Sequence, residues 1–301
     1  MSIKALFDVP APAKLNLFLH ITGRRADGYH LLQSVFMLID WCDTLHFERR
    51  SDGQISRHDL TAALPADDLC LRAARLLQAE STTTLGADIS IAKHVPWGAG
   101  MGGGSSDAAS TLLALNRLWG LNWPLSKLLP LGLRLGADVP FFLGGHNAWV
   151  EGIGEELTAV NLPARKFAVV KPAAGLETRV VFGDAALERN TPAATLEGFA
   201  AHSEQAQLHS ERLVEFGRND LQPVAEKHCA EVSKAIDLLQ SVFGHSRMTG
   251  SGSAVFSECS EKSFELESSA FLASVSSVPK TWVSRMCGNL AQHPLADWSK
   301  P

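Results

Sequence analysis

The sequence predicts a two-domain α/β protein, and three observations carry that prediction. An alternating stretch, 87–93, runs into a glycine-rich loop and then a helical run, 108–119. A second glycine–serine loop, 249–253, enters an apolar strand in the C-terminal half. Strand-like and helical patterns are interspersed along 301 residues that are 46% hydrophobic, enough for one large core or two moderate ones. Segment 173–215 turns richer in Ala, Glu, Thr and Ser, and the domain division is placed near residue 160, giving 1–160 and 161–301.

In chain order, Pro12 to Gly23 alternates: Leu15, Leu17, Leu19 and Ile21 face one way, Lys14, Asn16, Phe18 and His20 the other. Taken alone, Lys14 reads equally as a solvated edge residue or as a cation serving a nearby phosphate. Arg24 to His30 is a polar turn around Asp27-Gly28, and it holds the chain's only tyrosine, Tyr29, beside His30. Those two rings either pack down on the loop or project into a ligand cleft. Gln33–Asp40 and Thr44–Arg49 read as two strands joined near Trp41–Asp43. Asp68–Glu80 has Leu69, Ala73, Leu76 and Leu77 at helical spacing. Leu125–Leu135 reads as a helix stopped by Gly136. Asp138 follows among apolar residues, where a carboxylate is costly to desolvate unless it has a partner, and Lys14 is the candidate. Asn147–Glu151 and Lys166–Lys171 resume strand character. Glu177–Asp184 puts Thr178 and Phe182 on one face of a helical turn, and core packing is the plainer reading of that phenylalanine. Helices are expected at Pro223–Ser241 and Lys262–Val275, and a last strand at Thr281–Met286.

The stretch Val95 to Thr111 is the chemical centre. Five glycines fall within Gly98–Gly104, and two serines and Asp107 follow before the helical run. Strand, glycine loop and helix in that order aim unpaired N–H groups and a helix N-terminus at one point, which attracts phosphate. Glycine permits positive φ there and lets a phosphate approach the backbone. The loop is not a Walker A, because Gly104 stands where the lysine belongs. Nor is it a dinucleotide fingerprint: 118–124 offers no acid for a ribose. The stretches that mark a protein kinase are missing as well.

A net charge of −5 argues against nucleic acid or a membrane surface as partner. The five cysteines are scattered and form no C-x-x-C pair, which favours a reducing compartment over zinc or disulfides. With no membrane-length apolar run and no signal-like start, the expectation is a cytoplasmic protein, monomeric or weakly dimeric.

Pro12-Ala-Lys-Leu-Asn16, Pro96 to Ser106 and Thr249-Gly-Ser-Gly-Ser-Ala254 together resemble the three signature motifs of the GHMP small-molecule kinases. Arg25–His30 and Leu135–Pro140 are similar to patterns of one branch that acts on a cytidine-diphosphate polyol. The resemblance spans roughly residues 9 to 290 and is thinnest from 186 to 245. It implies an N-terminal ribosomal-S5-like domain, a C-terminal ferredoxin-like domain and an active site in the cleft between them. It implies ATP as co-substrate, with Mg²⁺ escorting it; the metal's ligands are not assigned, and Ser105 and Asp107 are the nearby candidates. By resemblance Asp138 is the catalytic base and Lys14 its partner. Pro96, Trp97, Gly98, Ala99, Gly100, Met101, Gly102, Gly103, Gly104, Ser105 and Ser106 would hold the ATP phosphates, with Lys93 near the adenosine. Asn16, Tyr29, His30, Thr178 and Phe182 would line the cytidine side, Tyr29 and Phe182 as stacking walls. The family tends to carry Asn where this chain has Asp68, so any contact of that residue with adenine is in doubt. The competing readings are another GHMP kinase, for a mevalonate-type, homoserine or sugar substrate, and a silent nucleotide- or RNA-binding module.

Overall fold

A computed structural model describes residues 3–209 and 212–299. The first half contains β1 (Ala5–Arg24), β2 (His30–Arg50), β3 (Ile55–Asp59), α1 (Leu69–Ser81), β4 (Gly86–Ala92), α2 (Gly103–Leu118), α3 (Leu125–Leu135), α4 (Val139–Gly144), β5 (Ala148–Glu151) and β6 (Glu156–Ala159). The second contains β7 (Lys166–Lys171), α5 (Thr178–Gly183), α6 (Leu196–His209), α7 (Gln222–His228), α8 (Ala230–Phe243), β8 (Arg247–Met248), β9 (Val255–Glu258), α9 (Phe264–Val275) and β10 (Val283–Gly288). Two sheets result. One runs β3-β4-β2-β5-β6 with β1 paired to β2, and the other runs β10-β7-β9-β8.

β2 is one strand where the sequence reads as two. Its first part, Ser34–Phe36, pairs with β5 and its last part, Thr44–Arg50, with β4. The residues between stay extended because β1 continues alongside, Pro12 opposite Cys42 and Ala11 opposite Asp43. β1 also departs from simple alternation. Irregularities between Pro12 and Lys14 and between Asn16 and Leu19 re-aim its side chains. Leu15, Leu17 and Phe18 therefore share one cluster, Val9 and Ala11 another, and Leu19 and Ile21 a third. The supposed polar face is buried: Lys14 is 4% exposed, Asn16 1% and Phe18 fully enclosed.

α2 begins at Gly103, five residues before the expected start, and is buried nearly all round. Its Ala, Ser and Leu content suits a central helix with neighbours on every side. Asp68 caps α1 by accepting from the Leu71 N–H at 3.0 Å, and its Oδ1 lies 2.8 Å from Arg57 Nη1. That position is a helix cap. The long helix expected over 223–241 is two, broken at Cys229, whose extended backbone (φ −144°) interrupts the turn. All five cysteines are free thiols. Among the described residues no helix is long and apolar enough to cross a membrane.

Candidate active site

Main-chain atoms bring three distant segments together. The Lys14 N–H donates to the Met101 carbonyl at 2.9 Å, and the Ala254 N–H to that of Ala99 at 3.2 Å. The Ser253 N–H reaches the Gly98 carbonyl at 3.3 Å, and the Asn16 N–H reaches Thr249 Oγ1 at 2.9 Å. The approach is too close for side chains. A Cβ on Gly100 (φ +73°) would lie 2.3 Å from the Thr249 carbonyl oxygen, and one on Gly102 3.3 Å from Lys14 Cγ. Above this junction Val95 to Ser105, with Leu69 and Lys93, enclose a cavity of about 310 Å³. Gly98 (φ +62°) faces open space and Trp97 is 67% exposed at the rim. Ser106 lies beneath, fully buried, its Oγ without a hydrogen-bond partner among the described residues.

Lys14 Nζ stands 3.8 Å from Asp138 Oδ2, donates to Asn16 Oδ1 at 2.5 Å and lies 4.5 Å from the Phe36 ring centre. Burial holds the Lys14 ammonium below the ordinary lysine value, with the Asp138 charge opposing that shift. Asp138 precedes α4, and its side chain is 32% exposed and open to solvent. Asn16 Nδ2 donates to Ser34 Oγ at 2.9 Å. Asn16 thus sits with Lys14 and against the 249–254 loop, and it is not on the wall of the cavity its suggested partners line.

Lys93 is the hub of a buried cluster under the glycine loop. Its Nζ lies 2.5 Å from Asp107 Oδ2 and also contacts Asp43 Oδ2. Burial works against the Lys93 ammonium, yet the Asp107 and Asp43 carboxylates outweigh it and hold its pKa high. Burial pushes the Asp107 carboxyl well up, Lys93 opposing and Asp43 adding to it. Asp43 Oδ1 accepts from the His94 and Val95 N–H groups at 2.5 and 2.8 Å, fixing the entry to the loop. Sequence reading missed Asp43. Its signal was available: an acid among apolar neighbours, the reasoning applied to Asp138.

Tyr29, His30, Thr178 and Phe182 meet at a second cavity of about 710 Å³, with Arg24 and Ile153 also on its wall. The His30 and Phe182 ring centres are 5.2 Å apart, and Tyr29 is 60% exposed. Thr178 Oγ1 contacts Ser251 Oγ at 2.8 Å, so the 249–254 loop touches both the glycine loop and this second wall.

The models of the GHMP kinases N terminal domain and the GHMP kinases C terminal match residues 68–146 and 197–272. A 4-diphosphocytidyl-2-C-methyl-D-erythritol kinase of Methylibium petroleiphilum is 63% identical over 299 residues, 99% of this chain and 100% of the relative. The chain belongs to the GHMP kinase family. As a GHMP kinase it uses ATP. A kinase of the same name from Variovorax paradoxus is 58% identical over 99% of this chain and 100% of the relative. The crystal structure of a 4-(cytidine 5′-diphospho)-2C-methyl-D-erythritol kinase superposes with a TM-score of 0.77 at 30% identity, covering 95% of this chain and 98% of that one. A homoserine kinase from Cytophaga hutchinsonii, 14% identical with a TM-score of 0.70, shares the GHMP kinase fold.

Proposed function

We infer that this GHMP kinase transfers the γ-phosphoryl group of ATP to the 2-hydroxyl of 4-(cytidine 5′-diphospho)-2-C-methyl-D-erythritol, a step of the non-mevalonate route to isoprenoid precursors. The supporting observation is the Lys14–Asp138 pair, 3.8 Å apart, with the Lys14 stem 3.3 Å from where a Gly102 Cβ would lie, in a chain whose full-length relatives carry that name. Asp138 takes the hydroxyl proton as the oxygen attacks phosphorus, and Lys14 offsets the negative charge spreading over the transferred group. The N–H groups of residues 98–106 hold the nucleotide phosphates, with Lys93 toward the adenosine. Tyr29, His30, Thr178 and Phe182 take the cytidine end, and Asn16 positions Lys14 between the two ends.

Among the described residues no group of three or more His, Cys, Asp or Glu could hold a metal ion, and Asp107 is engaged by Lys93. Mg²⁺ is proposed to arrive on the nucleotide, held by its phosphates and water. We place the domain division at 160/161, between the two sheets, and the protein in the cytoplasm as a monomer or weak homodimer. ADP release tests the activity. It should depend on the cytidine substrate and be absent with 2-C-methyl-D-erythritol 4-phosphate, mevalonate or homoserine. Equal release with the uncapped phosphate would overturn the assignment.

A further inference from the structure

An arginine outside the second cavity dictates where its histidine carries the proton. Arg189 Nε donates to His30 Nε2 at 3.2 Å. The same guanidinium is tied to the Leu187, Phe182 and Asp184 carbonyls at 3.0, 3.2 and 2.7 Å, so its orientation is set by backbone. Arginine can only donate. The nitrogen facing it must therefore present a lone pair, and a neutral imidazole then carries its hydrogen on Nδ1. Burial, followed by the charges of Arg189 and Arg24, lowers the His30 pKa, so the ring stays neutral near physiological pH.

We propose that Arg189 is a positioning residue that fixes His30 as the Nδ1–H tautomer and so makes this cavity select cytosine over uracil. The proposal rests on the reading of the cavity as the cytidine end. The His30 and Phe182 ring centres are 5.2 Å apart, so a base stacked on Phe182 would have His30 within reach of its edge. Cytosine N3 is an acceptor and takes the Nδ1 hydrogen. Uracil N3 bears a hydrogen of its own, and two donors then face each other with neither paired. A site built to hydrogen-bond one ligand rejects its analogue chiefly through such unpaired groups.

Two measurements test this. Long-range proton–nitrogen correlation spectra of the isotope-labelled wild-type protein, with His30 assigned through a His30→Gln sample, should show a protonated Nδ1 and a bare Nε2. A proton on Nε2 overturns the proposal without any mutation of Arg189. Calorimetric titrations with cytidine and uridine diphosphate, the glycine-loop cavity filled by a non-hydrolysable ATP analogue, read the selectivity. Wild-type protein should favour the cytidine form by about tenfold to a hundredfold, the cost of one unpaired buried group. Arg189→Met should remove most of that ratio while leaving the KM for ATP unchanged, and Arg189→Lys, which keeps a cationic donor, should restore part of it. Equal weakening of both nucleotides in Arg189→Met would make Arg189 a staple for residues 182–189 and overturn the selectivity role. If wild-type protein binds neither nucleotide yet shows the expected tautomer, the cytidine reading of the cavity fails, and the selectivity falls with it.

Discussion

Asp138 and Lys14 divide the chemistry in a way that single substitutions can separate. Asp138→Asn keeps the size of the side chain and loses the proton acceptor. Its kcat should fall by about 10²–10⁴-fold, the usual worth of a positioned base, with the KM for ATP little changed. A variant with wild-type kcat would remove Asp138 from that role. Lys14 must be charged to work, and burial lowers its pKa. Activity should therefore fail on the alkaline side below the ordinary lysine value of about 10.4. Lys14→Arg, if it retains turnover, should move that limb upward in a kcat–pH profile. Phe182→Ala should weaken the cytidine substrate by about 1–3 kcal/mol, the worth of one aromatic–base stack, and spare ATP. Equal losses for both substrates would leave Phe182 as core packing alone.

The glycine loop with its helix is the element that the sequence made most legible. Dense glycines between an alternating segment and an apolar run admit few other structures, and the loop does border a cavity. Two of its glycines should fail differently. Gly98 faces open space at φ +62°, so Gly98→Ala should cost about 1–2 kcal/mol of backbone strain and raise the KM for ATP. At Gly100 a Cβ would collide with the Thr249 carbonyl, so Gly100→Ala should lower Tm by more and disturb both loops. Thermal melts beside ATP kinetics distinguish the two. Other elements were less legible, each for a physical cause. β1 hid its irregularities because alternation counts residues and cannot register a bulge. α2 started early because Gly102, in the left-handed conformation, ends the loop and leaves Gly103 and Gly104 free to turn helically. α6 lay in a segment read by its composition, where a weakly amphipathic run gave no stripe to follow. Asn16 stood one alternation step from Lys14, and only the fold revealed that its amide serves that lysine.

Across the whole molecule, buried titratable groups set the response to acid. Burial lowers His245 and His293 to about 4 from the ordinary 6.5. Between those values the unfolded chain binds more protons than the folded one, so stability drops as pH falls through that window. Glu258 acts oppositely. Burial raises it from 4.5 to about 7, with the Val214 N–H and Arg165 opposing, so the folded state binds the extra proton and its contribution fades as pH rises. On acidification from 6.5 to 4.5 the two histidines, with His20 and His30 shifted the same way, lose stability, and Glu258 and Asp107, both raised by burial, act to offset that loss. Glu258→Gln should steepen that loss and His245→Gln should flatten it, read as Tm against pH. A slope unaffected by either variant would place the titration elsewhere. The join between the 98–101 and 249–254 segments has a consequence of another kind. Its fastenings run between N–H and carbonyl groups, which every non-proline residue supplies, so pruning a neighbouring side chain leaves the seam closed. Harm enters by addition: a methyl group where none was, or a ring that removes a hydrogen from nitrogen, pries the seam apart.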